Sequence, residues 1–150
     1  MADVILIPTG HSYDYVVKHG VYLCPDAKGY HHHMCRFYAF RPNQSDITEL
    51  FTLKAHYVLP ASIDAIRESD IPEEEKTKIV AYLEETMPTG IHPEIGTGSP
   101  TQFFILKDRI QLPTPVRSAK QWGSGCTYYN LADMIDPETA VAILPATQVE

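Results

Sequence analysis

The sequence predicts a mainly β fold with peripheral helices, in the α+β class. Short strand-like runs recur between turn signals without regular alternation with helices, which argues against a doubly wound sheet. A small, mostly antiparallel barrel fits this order best. The chain has 150 residues, a formal net charge of −7 and 44% hydrophobic residues. These values suit a single domain spanning residues 1–150, and no apolar run is long enough for a transmembrane helix.

The predicted strands are short, except for one alternating stretch. They cover residues 4–9, 21–24, 30–40, 46–59, 103–112 and 126–129. In the longest of them, Ile47, Phe51 and Tyr57 share the face expected in the core, and Glu49 is the exception on that face. Ser12 is predicted to cap a short helix that ends near Gly20. Residues 112–116 contain two prolines and are therefore expected at a sheet edge or outside the sheet.

A helical insertion is predicted at about residues 61–87. Residues 61–100 hold nine acids and three Lys or Arg, so this segment alone carries a charge of −6. Pro72 is expected at the start of the second of two helices, and Asn130 is expected to cap a short helix near the end of the chain. Residues 73–75, all glutamate, are expected to be solvated. The predicted apolar stripe of the second helix consists of Ile79, Val80, Leu83 and Met87.

The metal-binding alternative depends on residues near the third strand. His31, His33 and Cys35 would share one face of a strand, but ligands from one strand run in a row, so Cys24 or His56 would have to close the site. No metal or other cofactor is therefore predicted, and a metal-dependent enzyme using these three residues is kept as an alternative. Three cysteines and no recognisable signal peptide favour a reducing cytoplasm.

A basic segment follows the acidic one. It contains four cations that are candidates for phosphate contacts: Lys107, Arg109, Arg117 and Lys120. Because so few cations are present, two to four phosphate contacts and a weak dependence of binding on salt are expected. Aromatic side chains accompany them along the chain, and such rings serve either a core or the stacking of nucleobases.

Four short motifs resemble EVE-type domains of the PUA-like superfamily, whose relatives include YTH and ASCH domains. The first is His-Gly-Val-Tyr-Leu-Cys-Pro at residues 19–25, which is similar to the Gly-Val-aromatic step after the first helix of those domains. Residues 36–40 resemble the aromatic strand that follows. Residues 103–107 and 112–116 look like the late barrel strand and its Leu-x-x-Pro-Val continuation.

The resemblance implies a β-barrel with a pocket beside its first helix. It also implies a non-enzymatic domain that binds DNA or RNA, with a modified base as one candidate ligand and a bacterial defence or restriction system as its setting. Ser12, Tyr13, Tyr22 and Tyr38 would line the pocket, and Trp122 is expected to cover it from a glycine-rich loop. A protein-interaction module that uses the acidic helices stays open as an alternative, and so does assembly into a homo-oligomer.

Overall fold

The computed structural model describes residues 3–27, 30, 34–42, 46–117 and 125–135. Its helices and strands follow the order β1 (Val4–Pro8), α1 (Tyr13–His19), β2 (Val21–Pro25), β3 (Phe37–Arg41), β4 (Ile47–Pro60), α2 (Ile63–Glu68), α3 (Glu73–Thr86), β5 (Pro100–Val116), β6 (Thr127–Tyr129) and α4 (Leu131–Ile135). Two short 3-10 turns, Gly10–Ser12 and Met87–Thr89, precede α1 and follow α3. The predicted α+β class is confirmed.

The six strands form one mixed sheet in the order β2-β5-β4-β3-β1-β6. Strand β1 pairs in parallel with β3 and antiparallel with β6, whereas β2 pairs antiparallel with β5, and β3 with β4. Strands β2 and β6 stand at the two ends of this order. Because these two strands do not pair with each other, the described strands form an open sheet, and the expected closure into a barrel is not seen among them.

The chain divides into two compact units. Unit 1 comprises Met1–Tyr13, Met34–Leu53 and Lys107–Glu150, and unit 2 comprises Asp14–His33 and Lys54–Leu106. Strands β4 and β5 each contribute residues to both units. A single domain over residues 1–150 stays a prediction.

Unit 1 has an apolar core drawn from its strands and α4. The cluster consists of Val4, Leu6, Ala39, Ile47, Leu50, Leu112, Val116, Tyr129 and Met134. The N-terminus of α4 is capped by Asp3, the residue before β1, whose carboxylate accepts a hydrogen bond from the Leu131 amide at 3.1 Å. Asp3 therefore provides the side-chain cap that the sequence assigned to Asn130, since a carboxylate at a helix N-terminus satisfies an otherwise unpaired amide.

Unit 2 contains both helices of the acidic segment. Ser62 caps α2 by accepting a hydrogen bond from the Ala65 amide, and α3 begins directly after Pro72. The predicted stripe of α3 is buried at Ile79, Val80 and Leu83, but Met87 is 47% exposed, because the helix gives way to a 3-10 turn at that residue. Within the described residues, no helix is long and apolar enough to cross a membrane.

Three local expectations are corrected. The third strand begins at Phe37, and not at residue 30. The strand predicted to end at residue 112 continues to Val116; Pro113 and Pro115 are exposed and lie beyond Ile105, where the pairing with β2 ends, which agrees with the sheet-edge alternative. Ser12 lies inside a 3-10 turn and its hydroxyl donates to the Thr9 carbonyl at 2.9 Å, so it does not act as the N-cap of α1.

Candidate nucleic-acid interface

Strand β5 presents an exposed polar face in unit 1. From residue 107 onward every second side chain is exposed, whereas Leu112 and Val116 on the opposite face are buried. The exposed β5 face consists of Lys107, Arg109, Gln111, Pro113, Pro115 and Arg117, the residue directly after the strand. Because a strand rises about 3.3–3.4 Å per residue, neighbours on this face are about 6.6–6.8 Å apart.

The cations of this face differ in their partners. Arg109 is paired with Glu49, and Arg117 Nη2 lies 3.2 Å from Asp46 Oδ2. Lys107 is exposed and has no ion pair among the residues that the structure describes. Lys120, the fourth predicted phosphate contact, lies outside the described residues. Two of the three described cations are therefore neutralised internally, which leaves Lys107 as the cation with a fully available charge.

Glu49 forms the centre of a polar cluster, here called the Glu49 cluster, with Tyr13 and Arg109. The Glu49 residue is 7% exposed, and its carboxylate accepts from the Tyr13 hydroxyl at 3.1 Å. Arg109 donates to the same carboxylate from Nε at 2.5 Å and from Nη2 at 3.0 Å. This two-pronged bond fixes the plane of the guanidinium. It also raises the pKa of Arg109 above its ordinary value, first through the hydrogen bond to Glu49 and then through its charge.

Local sequence positions the tyrosine of this cluster. Gly10 has a φ of +52°, a backbone conformation that glycine adopts without strain, and it turns the chain from β1 into α1. The Thr9 amide and hydroxyl both donate to the Arg41 carbonyl, at 2.9 and 3.1 Å. Tyr13 therefore begins α1 from a turn that is anchored to β3.

The structure places the other predicted pocket residues in different surroundings. In unit 1, Tyr38 is 1% exposed, and its hydroxyl lies 3.1 Å from Met34 Sδ. In unit 2, Tyr22 is 8% exposed, and its ring centre lies 5.6 Å from that of Phe104. Trp122 lies outside the described residues. Of the predicted ligand-binding and phosphate-binding residues, Tyr13 and Arg109 are thus joined by a shared partner, Glu49.

Glu49 itself was not among the predicted site residues. The signal that identifies it is its position in β4, where an acid lies among the buried apolar residues Ile47, Leu50 and Phe51. A buried carboxylate is costly unless it is paired and hydrogen-bonded, so such an interruption indicates a partner elsewhere in the fold. That partner, Arg109, is 60 positions away in the sequence, which is why local patterns did not identify it.

A second polar cluster lies in unit 2 and was also missed by the sequence. Tyr82 is fully buried, and its hydroxyl lies 2.7 Å from His92 Nε2, while His92 Nδ1 lies 3.3 Å from Glu94 Oε1. Burial lowers the pKa of His92, and the charge of Glu94 opposes that shift. A neutral His92 then accepts from Tyr82 and donates to Glu94. The hydrogen bond between Tyr82 and His92 therefore connects the loop at residues 90–99 to α3.

Glu75 in unit 2 corrects the expectation of a solvated glutamate run. It is 4% exposed; its carboxylate accepts from the Tyr57 hydroxyl at 2.5 Å and lies 3.7 Å from Lys54 Nζ. The hydrogen bond to Glu75 is the main reason why the pKa of Tyr57 is raised. Its neighbours Glu73 and Glu74 are exposed, as predicted. Glu75 faces inward because it lies one helical turn before Ile79, on the same side of α3.

A groove on α2 and α3 is the surface that the interaction alternative would use. Its volume is about 470 Å³, and it is lined by Arg67, Glu73, Lys76, Thr77, Val80, Ala81 and Glu84. Lys76 lies 3.6 Å from Glu73 and donates to the Arg67 carbonyl at 2.8 Å. With two acids and two cations, the lining has no net charge and selects no class of partner.

The metal alternative depends mainly on residues outside the described ranges. His31 and His33 lie there. Cys35 is described and half-buried, and its pKa is raised, chiefly by burial and then by the charge of Asp3. A raised pKa disfavours the thiolate that would ligate a metal. Elsewhere in the described ranges, no three His, Cys, Asp or Glu side chains are grouped so that they could hold a metal ion.

Comparisons with known proteins find similarity at the level of structure. No protein-family model matches the chain, and no curated protein matches it. The solved structures that are similar include an ASCH protein from Zymomonas mobilis, with 14% identity, a TM-score of 0.46 and coverage of 85% of this chain and 88% of that chain.

Two mutant forms of the same Zymomonas mobilis protein are also similar. Each has 12% identity; their TM-scores are 0.47 and 0.46, and they cover 87% and 85% of this chain and 92% and 91% of their own. ASCH domains are relatives of the EVE-type domains that the sequence motifs resemble, and the EVE-type assignment stays a prediction.

Proposed function

We propose that this chain binds single-stranded DNA or RNA through the exposed β5 face and the Glu49 cluster of unit 1. The observation that carries the proposal is Arg109, whose side chain is 58% exposed while a buried carboxylate fixes its plane. A positioned guanidinium on an exposed face reads base edges, and the half-buried ring of Tyr13 beside it offers a surface for stacking. Lys107 supplies a phosphate contact on the same face.

The finer parts of the proposal come from the sequence motifs. They are a non-enzymatic role, a modified base as ligand, and a link to a bacterial defence or restriction system. Trp122 is proposed to stack on the base from its glycine-rich loop. Assembly into a homo-oligomer is not needed for this function, since Tyr13, Glu49 and Arg109 belong to one unit of one chain.

The ion pairs lower the expected number of phosphate contacts and therefore the expected dependence of binding affinity on salt. Each phosphate contact contributes about 0.7, for single strands, or about 0.9, for duplex, to the slope of log affinity against log salt concentration. Because Arg109 and Arg117 are neutralised by Glu49 and Asp46, one or two contacts are expected, at the low end of the sequence-based range. A shallow slope would distinguish this site from a general nucleic-acid binder.

The proposal is tested by titrating single-stranded and duplex oligonucleotides at several salt concentrations, with and without modified bases. Lys107→Gln should reduce the slope by about 0.7 and preserve any base preference. The matched control is Lys78→Gln on α3 in unit 2, which should leave both unchanged. Trp122→Ala should weaken binding of the preferred base and leave the slope intact.

The absence of detectable binding to every oligonucleotide at low salt would contradict the proposal. The same result would leave the interaction module as the better account. A Lys78→Gln variant that reduced the slope as much as Lys107→Gln would place the contact outside the exposed β5 face.

A further inference from the structure

In the Glu49 cluster most acceptor positions of the carboxylate are occupied, whereas several N–H donors of Arg109 remain available. A carboxylate offers about four lone-pair positions. Glu49 uses three of them, for Tyr13 and for two N–H groups of Arg109. A guanidinium has five N–H groups, so Arg109 keeps three that have no partner among the described residues. Since Nε and Nη2 bind the carboxylate, the remaining edge presents parallel N–H groups from Nη1 and Nη2.

Charge decides which kind of acceptor suits this edge. The carboxylate of Glu49 neutralises Arg109, and it would repel a phosphate brought against the other edge of the same guanidinium. A neutral group with two adjacent acceptors keeps both hydrogen bonds without that repulsion. Lys107, two positions earlier on the same face, is the better contact for a phosphate, because it has no ion pair among the described residues.

In a single strand two bases offer two adjacent acceptors: guanine through N7 and O6, and cytosine through N3 and O2. Adenine, thymine and uracil place a donor beside their acceptors. Of the two candidates, guanine has the larger ring for stacking beside Tyr13. We infer that Arg109, held by Glu49, reads the N7 and O6 edge of a guanine in single-stranded nucleic acid, with Tyr13 placed to stack beside it. This inference rests on the proposed function, and it assigns the base that the site prefers.

The experiment uses the whole chain and a short uridine-rich oligonucleotide with one variable central base. Five probes carry guanine, inosine, 7-deazaguanine, adenine or cytosine at that position. Guanine and inosine both keep N7 and O6, so they should bind about 5- to 150-fold more tightly than adenine. The 7-deazaguanine probe lacks N7 and should lose most of that preference.

Two substitutions connect the preference to the cluster. Arg109→Lys keeps the charge but removes the planar pair of donors, so the guanine preference should disappear. Glu49→Gln should also remove it and should steepen the salt slope by about 0.7, because the charge of Arg109 is then available to phosphate. Arg36→Lys, at an exposed arginine of unit 1 outside the exposed β5 face, is the control and should keep the preference.

The outcomes separate this inference from the proposed function. Detectable but equal binding of all five probes, or tighter binding of cytosine than of guanine, would overturn the guanine assignment and leave the proposed function standing. No binding of any probe would overturn both. A guanine preference that survives Arg109→Lys would also overturn the inference. If Glu49→Gln fails to fold, Arg109→Lys still decides the question, since it alters an exposed side chain.

Discussion

Two buried glutamates have partners of similar kinds but play different roles. Glu49 in unit 1 and Glu75 in unit 2 each accept a hydrogen bond from a tyrosine, and each lies beside a cation. Glu49 holds Arg109 through two hydrogen bonds, whereas Lys54 Nζ lies 3.7 Å from Glu75 and also 4.0 Å from Glu74. A lysine ammonium lacks the planar pair of N–H donors that an arginine has, so Glu75 does not position a donor pair for a ligand.

The contrast shows that burial of an acid does not by itself define a binding site. Glu75 connects α3 to Tyr57 of β4 within unit 2, and its helix buries Ile79 and Leu83 close by. Its role is therefore to stabilise the attachment of α3. Glu49 instead stabilises the orientation of a side chain that remains 58% exposed. The exposed, planar partner is what makes the Glu49 cluster suitable for recognition.

The largest expected effect tests whether α3 is a packed structural element. Leu83 is fully buried on α3, so Leu83→Ala should lower the free energy of unfolding by about 2–5 kcal/mol, through lost burial and the cavity left behind. Chemical denaturation of the two proteins measures this difference. An unchanged unfolding midpoint would show that the apolar stripe is not part of the core and would contradict a structural role for α3.

A smaller loss is expected when the buried acid of α3 is removed. Glu75→Ala should lower the free energy of unfolding by about 1.5–3 kcal/mol, because the hydrogen bond from Tyr57 to a charged group is lost. Glu74→Ala is the matched control, since Glu74 is exposed and gains the same helix propensity; it should change stability by a few tenths of a kcal/mol. Equal effects of the two substitutions, or a change in oligonucleotide affinity with Glu75→Ala, would remove the distinction between the two glutamates.

The pH dependence of stability gives a third test in unit 2. The pKa of His92 is lowered from 6.5 by burial, so the unfolded chain binds this proton more readily than the folded chain. Stability from this group is therefore complete above about pH 6.5 and decreases as the pH falls below it. The urea midpoint should drop between about pH 7.5 and about pH 5.5, and the drop should be smaller in His92→Gln. His11→Gln, at an exposed histidine, should behave like the wild type; identical drops in all three proteins would contradict the assignment.

Local pattern accounts for much of the secondary structure. The apolar run after residue 3, the alternation from residue 47 and the helical spacing of Ile79 and Leu83 predicted β1, β4 and α3, because each depends on side-chain periods within one element. Errors arose where a neighbour outside the element decided the outcome. Pro113 and Pro115 could remain in β5 because the pairing with β2 ends before them, and α4 took its side-chain cap from Asp3.

By itself, the sequence determined the α+β class, the positions of most elements, the acidic helices and the scarcity of cations near β5. The tertiary structure alone decided which charged side chains remain available to a ligand. Glu49 and Arg109 are 60 positions apart and Glu75 and Tyr57 are 18 apart, so no local pattern joins them. The physical reason is that a buried carboxylate must find its partners through folding, and whether a partner such as Arg109 stays exposed depends on how the strands are arranged around it.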